Sequence, residues 1–196
     1  MQLYKRIPHY HNACIKSENR TFILLNTQAM KKITLLIVAL LSTVAVCVFA
    51  QTIKGNYAIK NVQTGLLLRI KDANSKNGTP LVSYTPQNWK CMTWNFKHVE
   101  GNTYQLQNLF SAKTFTPAGE KTEAGTALEE QPLSAGNSIQ QYEFIAVDNN
   151  TYLIKVKGTD LYITATSKEV NSKIILTKKK ESQNQRWTIY NQEPTM

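Results

Sequence analysis

The sequence predicts an all-β fold in which one four-stranded unit is repeated three times. Three observations lead there: landmarks that recur in one order, apolar residues that alternate with period two, and no window with a convincing amphipathic helix. The units occupy about residues 55–98, 101–147 and 150–190.

The first landmark is an opening strand: Gly55-Asn56-Tyr57-Ala58-Ile59, Gly101-Asn102-Thr103-Tyr104-Gln105-Leu106 and Asn150-Thr151-Tyr152-Leu153-Ile154, with tyrosines 47 and 48 residues apart. The second is a turn, Gly78-Thr79, Gly125-Thr126 and Ser172-Lys173, recurring at steps of 47 before the apolar pairs Leu81-Val82, Ala127-Leu128 and Ile174-Ile175. The third is a closing aromatic strand, Trp94-Asn95-Phe96, Tyr142-Glu143-Phe144 and Trp187-Thr188-Ile189. Between them apolar residues alternate, as in Leu66/Leu68/Ile70 and Tyr152/Ile154/Val156, and turn residues such as Asn77-Gly78 separate the runs. Three such units make about twelve strands, which must close because open edges invite aggregation. The expected fold is a β-trefoil spanning 51–196, and Trp94, Tyr142 and Trp187, at one place in every unit, are read as core.

Ahead of this domain, Met30-Lys31-Lys32 precedes an apolar run that ends at Val48-Phe49-Ala50, the pattern of a secretory signal peptide over 30–50. The competing reading is a membrane anchor, since Ile33 to Ala50 is 18 uncharged residues, about the minimum for a bilayer span. Lipidation does not fit, because Cys47 follows Val46 rather than a small residue. Residues 1–29 show neither periodicity nor caps and are expected to be a non-native upstream extension, with translation starting at Met30. Cleavage after Ala50 removes six basic residues and one acid, bringing the net charge from +10 to +5. Of Cys14, Cys47 and Cys91 only Cys91 survives it, so no intramolecular disulfide is available and the core must hold the fold.

With Gln185-Arg186-Trp187 intact, Gln140-Gln141-Tyr142 softened and Met92-Thr93-Trp94 lacking the glutamine, the units resemble the ricin B-chain type β-trefoil, whose repeat closes on Gln-x-Trp. The resemblance covers Gly55 to Tyr190 and implies sugar pockets built from an aspartate on the second strand, an aromatic platform on the third, and an amide just before the closing tryptophan. The chemistry suits a pyranose, whose C–H face packs on a ring while its hydroxyls take a fixed acceptor and donor.

Carried over by position, the first unit has Arg69 for the aspartate, Tyr84 for the platform and Cys91-Met92 for the amides. The second has Thr116, Gln131 and a nearby Glu129, with no ring to stack on. The third keeps Asn184-Gln185 but aligns Tyr162 with the aspartate and Lys178 with the platform, with Asp160 just upstream. The sugar-binding candidates are therefore Tyr84, Asp72, Asn88 and Trp89 in the first unit and Asp160, Tyr162, Asn184 and Gln185 in the third. Asp72, Asn74, Asn77 and Gly78 line the preceding turn, where turn chemistry alone accounts for Asn and Asp and is the favoured reading, whereas Tyr84 and Trp89 lie in or beside a loop, where exposed aromatics often bind ligands.

No catalytic residue is expected, since His98 is the only histidine after position 50 and no serine or cysteine motif surrounds it. Cys91 and His98 are too few for a metal site, and no cofactor is expected. The expected function is that of a secreted or periplasmic, non-catalytic carbohydrate-binding protein with partly degenerate sites, its partner a glycan or polysaccharide, with no membrane span after cleavage. The alternative is a protein-interaction or protease-inhibitor module acting through the loops Lys113 to Gly125 and Pro132 to Ser138. A third reading makes the lysines of the last unit, Lys155, Lys157, Lys168, Lys173 and Lys178 to Lys180, a polyanion patch, competing with a merely solvated face. Nucleic acid is not expected, because no aromatics interleave with these lysines.

Overall fold

Short alternating segments bounded by turn residues form strands, and a computed structural model, which describes residues 52–195, contains twelve of them. The first unit holds β1 (Gly55–Asn61), β2 (Leu67–Ile70), β3 (Leu81–Tyr84) and β4 (Thr93–Glu100). The second holds β5 (Thr103–Asn108), β6 (Thr114–Pro117), β7 (Leu128–Gln131) and β8 (Tyr142–Asp148). The third holds β9 (Thr151–Val156), β10 (Tyr162–Ala165), β11 (Ile174–Thr177) and β12 (Arg186–Asn191). The expected extension, the signal peptide and its cleavage point lie outside the described residues.

The first and last strands of each unit build a barrel: β1 pairs with β4, β4 with β5, β5 with β8, β8 with β9, β9 with β12, and β12 with β1, all antiparallel. That ring of six has no free edge. The inner strands of each unit form three hairpins, β2–β3, β6–β7 and β10–β11, which meet one another through single bridges at Pro80 and Glu129, Ala127 and Ile175, and Val82 and Lys173. This is the β-trefoil that the repeats predict.

The hairpins are tied in a ring by equivalent backbone bonds. The amides of Gly78, Gly125 and Asn171 donate to the carbonyls of Glu130, Leu176 and Ser83 at 2.8, 2.7 and 2.8 Å. All three donors have positive φ (81°, 94° and 64°), a conformation open to glycine and, among other residues, most readily to asparagine. The third turn is therefore Asn171-Ser172 and not the Ser172-Lys173 expected from equal steps. Between its second strand and this turn the third unit is two residues shorter than the others, seven from Thr164 to Asn171 against nine from Arg69 to Gly78 and from Thr116 to Gly125, so equal steps of 47 misplace its hairpin.

The closing aromatics Trp94, Tyr142 and Trp187 are wholly buried in one cluster with Leu68, Phe115 and Ile163. Each reports to the second strand of its own unit: the indoles of Trp94 and Trp187 donate to the carbonyls of Leu68 and Ile163, and the Tyr142 hydroxyl donates to Phe115. Tyrosine in place of tryptophan thus keeps the bond that matters. Gln140 and Gln185 act as clamps on the chain after the third strand. Gln140 donates to Pro132 O and accepts from Ser134 N, and Gln185 donates to Lys178 O and accepts from Lys180 N. The first unit has Met92 at this place, buried in a satellite cluster with Ala58, Leu67 and Cys91, so the segment after β3 lacks the clamp.

Candidate functional site

The unclamped segment of the first unit leads to a pocket. Its floor and walls are Arg69, Ala73, Trp89, Lys90, Cys91 and Phe110, around a volume of about 370 Å3. Arg69 projects from β2. Trp89 precedes a 3-10 turn over Lys90–Met92 and is held there because its carbonyl accepts from Met92 N and from the Thr93 hydroxyl, at 3.0 and 2.9 Å. Ala73 comes from the turn after β2, where Asp72 and Ala73 both sit at positive φ, 53° and 47°. That conformation is strained for alanine and less so for aspartate, which like asparagine adopts it more readily. Phe110 comes from the next unit, 44% exposed, in a turn fixed by the Asn108 carboxamide oxygen, which accepts from the amides of Phe110 and Ser111.

Arg69 governs the electrostatics. It is 8% exposed, and its guanidinium carbon lies 4.0 Å from the centroid of the Tyr84 ring and 5.9 Å from that of Trp89, a cation–π arrangement. Among the described residues its one carboxylate neighbour, Asp72, is 3.8 Å away and largely exposed, and its buried Nε has no partner. The pocket therefore carries a cation that the protein neutralises only weakly. Cys91 is a free, buried thiol, pushed up by burial against the opposing pull of Arg69.

The structure divides the expected site residues into groups. Trp89 lines the pocket, Tyr84 backs Arg69 beside it, and Asp72 stands near its rim. Arg69 lies over one face of the Tyr84 ring, and the aromatics that line the pocket are Trp89 and Phe110. Asn88 belongs elsewhere, donating to Glu193 O and lining a separate groove with Pro86, Gln87 and Tyr190.

In the third unit the strand register moves the site. Arg69 pairs with Val82, Thr116 with Glu129 and Thr164 with Ile175, so Thr164 rather than Tyr162 holds the aspartate position. By the same register Thr177, the partner of Tyr162, replaces Lys178 at the platform. Tyr162 is buried, Thr164 and Thr177 bond to each other at 2.7 Å, and both accept from the Gln185 amide. Gln185 is therefore a wholly buried structural clamp with its hydrogen bonds already taken. Asn184 donates to Ala165 O while its buried Oδ1 has no partner, and exposed Asp160 pairs loosely with Lys178 at 3.7 Å.

The rival surfaces are equally specific. The expected loop Lys113 to Gly125 contains β6, and Lys113 is held by Ser75 O and the Asn77 side chain. Four of the seven lysines in the expected patch, Lys155, Lys157, Lys178 and Lys179, sit beside Glu143, Glu100, Asp160 and Glu181. The patch is thus largely self-neutralised. Among the described residues no helix is long and apolar enough to cross a membrane.

A family profile described as "Ricin-type beta-trefoil lectin domain-like" matches residues 48–129 and 90–176. Among curated proteins nothing matches significantly. Among solved structures, the designed three-fold symmetric protein ThreeFoil is 17% identical, with 69% of this chain and 98% of that one covered at a TM-score of 0.67. The Rhizoctonia solani agglutinin is 18% identical, with 72% and 98% covered at a TM-score of 0.65. The Macrolepiota procera ricin B-like lectin, solved in complex with lactose, is 19% identical, with 70% and 96% covered at a TM-score of 0.59. At these identities the likeness is one of fold.

Proposed function

Because the chain belongs to the ricin-type β-trefoil lectin domain-like family, we propose that it is a non-catalytic carbohydrate-binding protein whose working site is the first-unit pocket. One observation supports this reading: a pocket opens beside Arg69, the residue aligned with the family's aspartate, and has aromatic walls in Trp89 and Phe110. The rings suit the C–H face of a pyranose, and Arg69 and Lys90 supply donors to its oxygens. The second and third units act as scaffold, since neither has an aromatic at its third-strand position, where Gln131 and Thr177 stand.

The reading as a binder rather than an enzyme rests on the isolation of its reactive groups. His98 lies on the barrel surface against Gly101 O, and Cys91 is buried with its thiol raised. Secretion to the periplasm or exterior after cleavage at Ala50 is part of the same proposal and is supported by the signal-like segment at 30–50. A glycan array probed with the purified protein at high salt, with free sugars as competitors, tests the function. Salt-resistant retention that a simple sugar removes is expected; a blank array would favour a protein-interaction module instead.

A further inference from the structure

We propose that the pocket selects an acidic pyranose, a uronic acid residue whose carboxylate is taken by Arg69. The inference deepens the carbohydrate-binding reading and rests on it. A cation replaces the acid that a neutral-sugar pocket of this design would carry, and Lys90 adds a second on the wall. The Arg69 side chain is nine-tenths buried, lies against the Tyr84 ring, and has a buried Nε with no partner among the described residues. A buried charge demands compensation, and among the described residues the carboxylate at hand is an exposed one at 3.8 Å. A planar, pre-oriented guanidinium matches a carboxylate in two parallel hydrogen bonds, which a lysine on a flexible stem does not. Trp89 and Phe110 then face the ring carbons, and a volume of about 370 Å3 accommodates a small ligand.

The role of Asp72 separates this from a neutral-sugar site by sign. If a neutral hydroxyl were recognised, Asp72 would be an acceptor and its loss would weaken binding. For an acidic ligand Asp72 competes for Arg69 and repels the incoming charge, so its loss strengthens binding.

Isothermal titration of the purified protein with oligogalacturonate and oligoglucuronate, with their carboxyl-reduced counterparts and with a sulfated neutral oligosaccharide tests the assignment. At least one uronide is expected to bind, with affinity falling about tenfold or more on carboxyl reduction and in Arg69→Gln, and rising severalfold in Asp72→Asn. Thermal melts of both variants show whether the fold persists, and Asp72→Asn, a change at an exposed rim residue, keeps the test decisive if Arg69→Gln unfolds. Equal binding of the reduced sugars, equal binding of the sulfated one, or weaker binding by Asp72→Asn overturns the uronate assignment and leaves the lectin reading standing. No binding to any sugar, here or on the broader array, overturns both.

Discussion

At the residue scale the sharpest anomaly is Glu130. It pairs directly with Phe115 across β6–β7 and so shares that residue's buried face, at the position that Ser83 and Leu176 hold in the other units. Both carboxylate oxygens are buried without a hydrogen-bond partner. Burial pushes its carboxyl above the usual range, opposed by Ser111 and Lys113. The folded state thus holds this proton more tightly than the unfolded chain. Stability should fall as pH rises from the ordinary carboxylate range through the raised value, and be fullest below it. Glu130→Leu, borrowing the residue at position 176, is expected to raise stability at pH 7 by about 1–3 kcal/mol and to flatten this slope. Melts of both proteins from pH 4.5 to 8 read the effect, and identical slopes would show that the carboxyl finds a partner. A second residue-scale prediction concerns Ala73: relieving its positive φ with Ala73→Gly should stabilise by about 1 kcal/mol in chemical denaturation.

At the element scale, the question is what the glutamine of the closing motif does. Gln185 joins β10, β11 and the chain after β11 through five hydrogen bonds: two to threonine hydroxyls, one to Lys178 O, one from Lys180 N, and that of its own amide to Ser182 O. Gln185→Ala should cost about 2–3 kcal/mol, because it leaves buried partners unsatisfied, while glycan affinity measured below the melting transition stays unchanged. Loss of binding with an intact fold would return this residue to the site. The same logic explains why the pocket sits in the first unit: with Met92 in place of the clamp, the segment carrying Trp89 packs on its own satellite cluster.

This scale also shows what the sequence made legible. Repeat order and the closing strands were readable because core residues of a pseudo-threefold fold must recur, down to a tyrosine that keeps a tryptophan's hydrogen bond. The third unit misled because Asn171, not a glycine, fills the positive-φ turn, hiding a hairpin two residues shorter; equal steps then land on Tyr162 and Lys178, two residues and one residue away from Thr164 and Thr177 in the register. Phe110 escaped because it reaches the pocket from the neighbouring unit. Its signal, an aromatic two residues after Asn108 in an Asx turn, has meaning only once the units are docked. The capture of Tyr84 by Arg69 likewise depends on side chains meeting across a hairpin, which spacing alone does not reveal.

At the scale of the whole molecule, three near-equivalent units have been put to unequal use. The barrel has no open edge, the hairpin ring is tied by three matching backbone bonds, and the second and third units spend their polar side chains on structure. The first combines an open pocket, accessible rings and an under-neutralised cation. The account therefore predicts single-site binding that Trp89→Ala reduces about tenfold or more, in line with the loss of one stacking contact and its burial. The most direct measurement is an amide and indole NMR titration of the protein with the glycan that binds it best. Saturable shifts confined to the Trp89 indole, the Lys90 and Cys91 amides and the Phe110 turn would bear the account out, whereas shifts centred on Asp160, Tyr162 and Asn184, or spread equally over all three units, would contradict it.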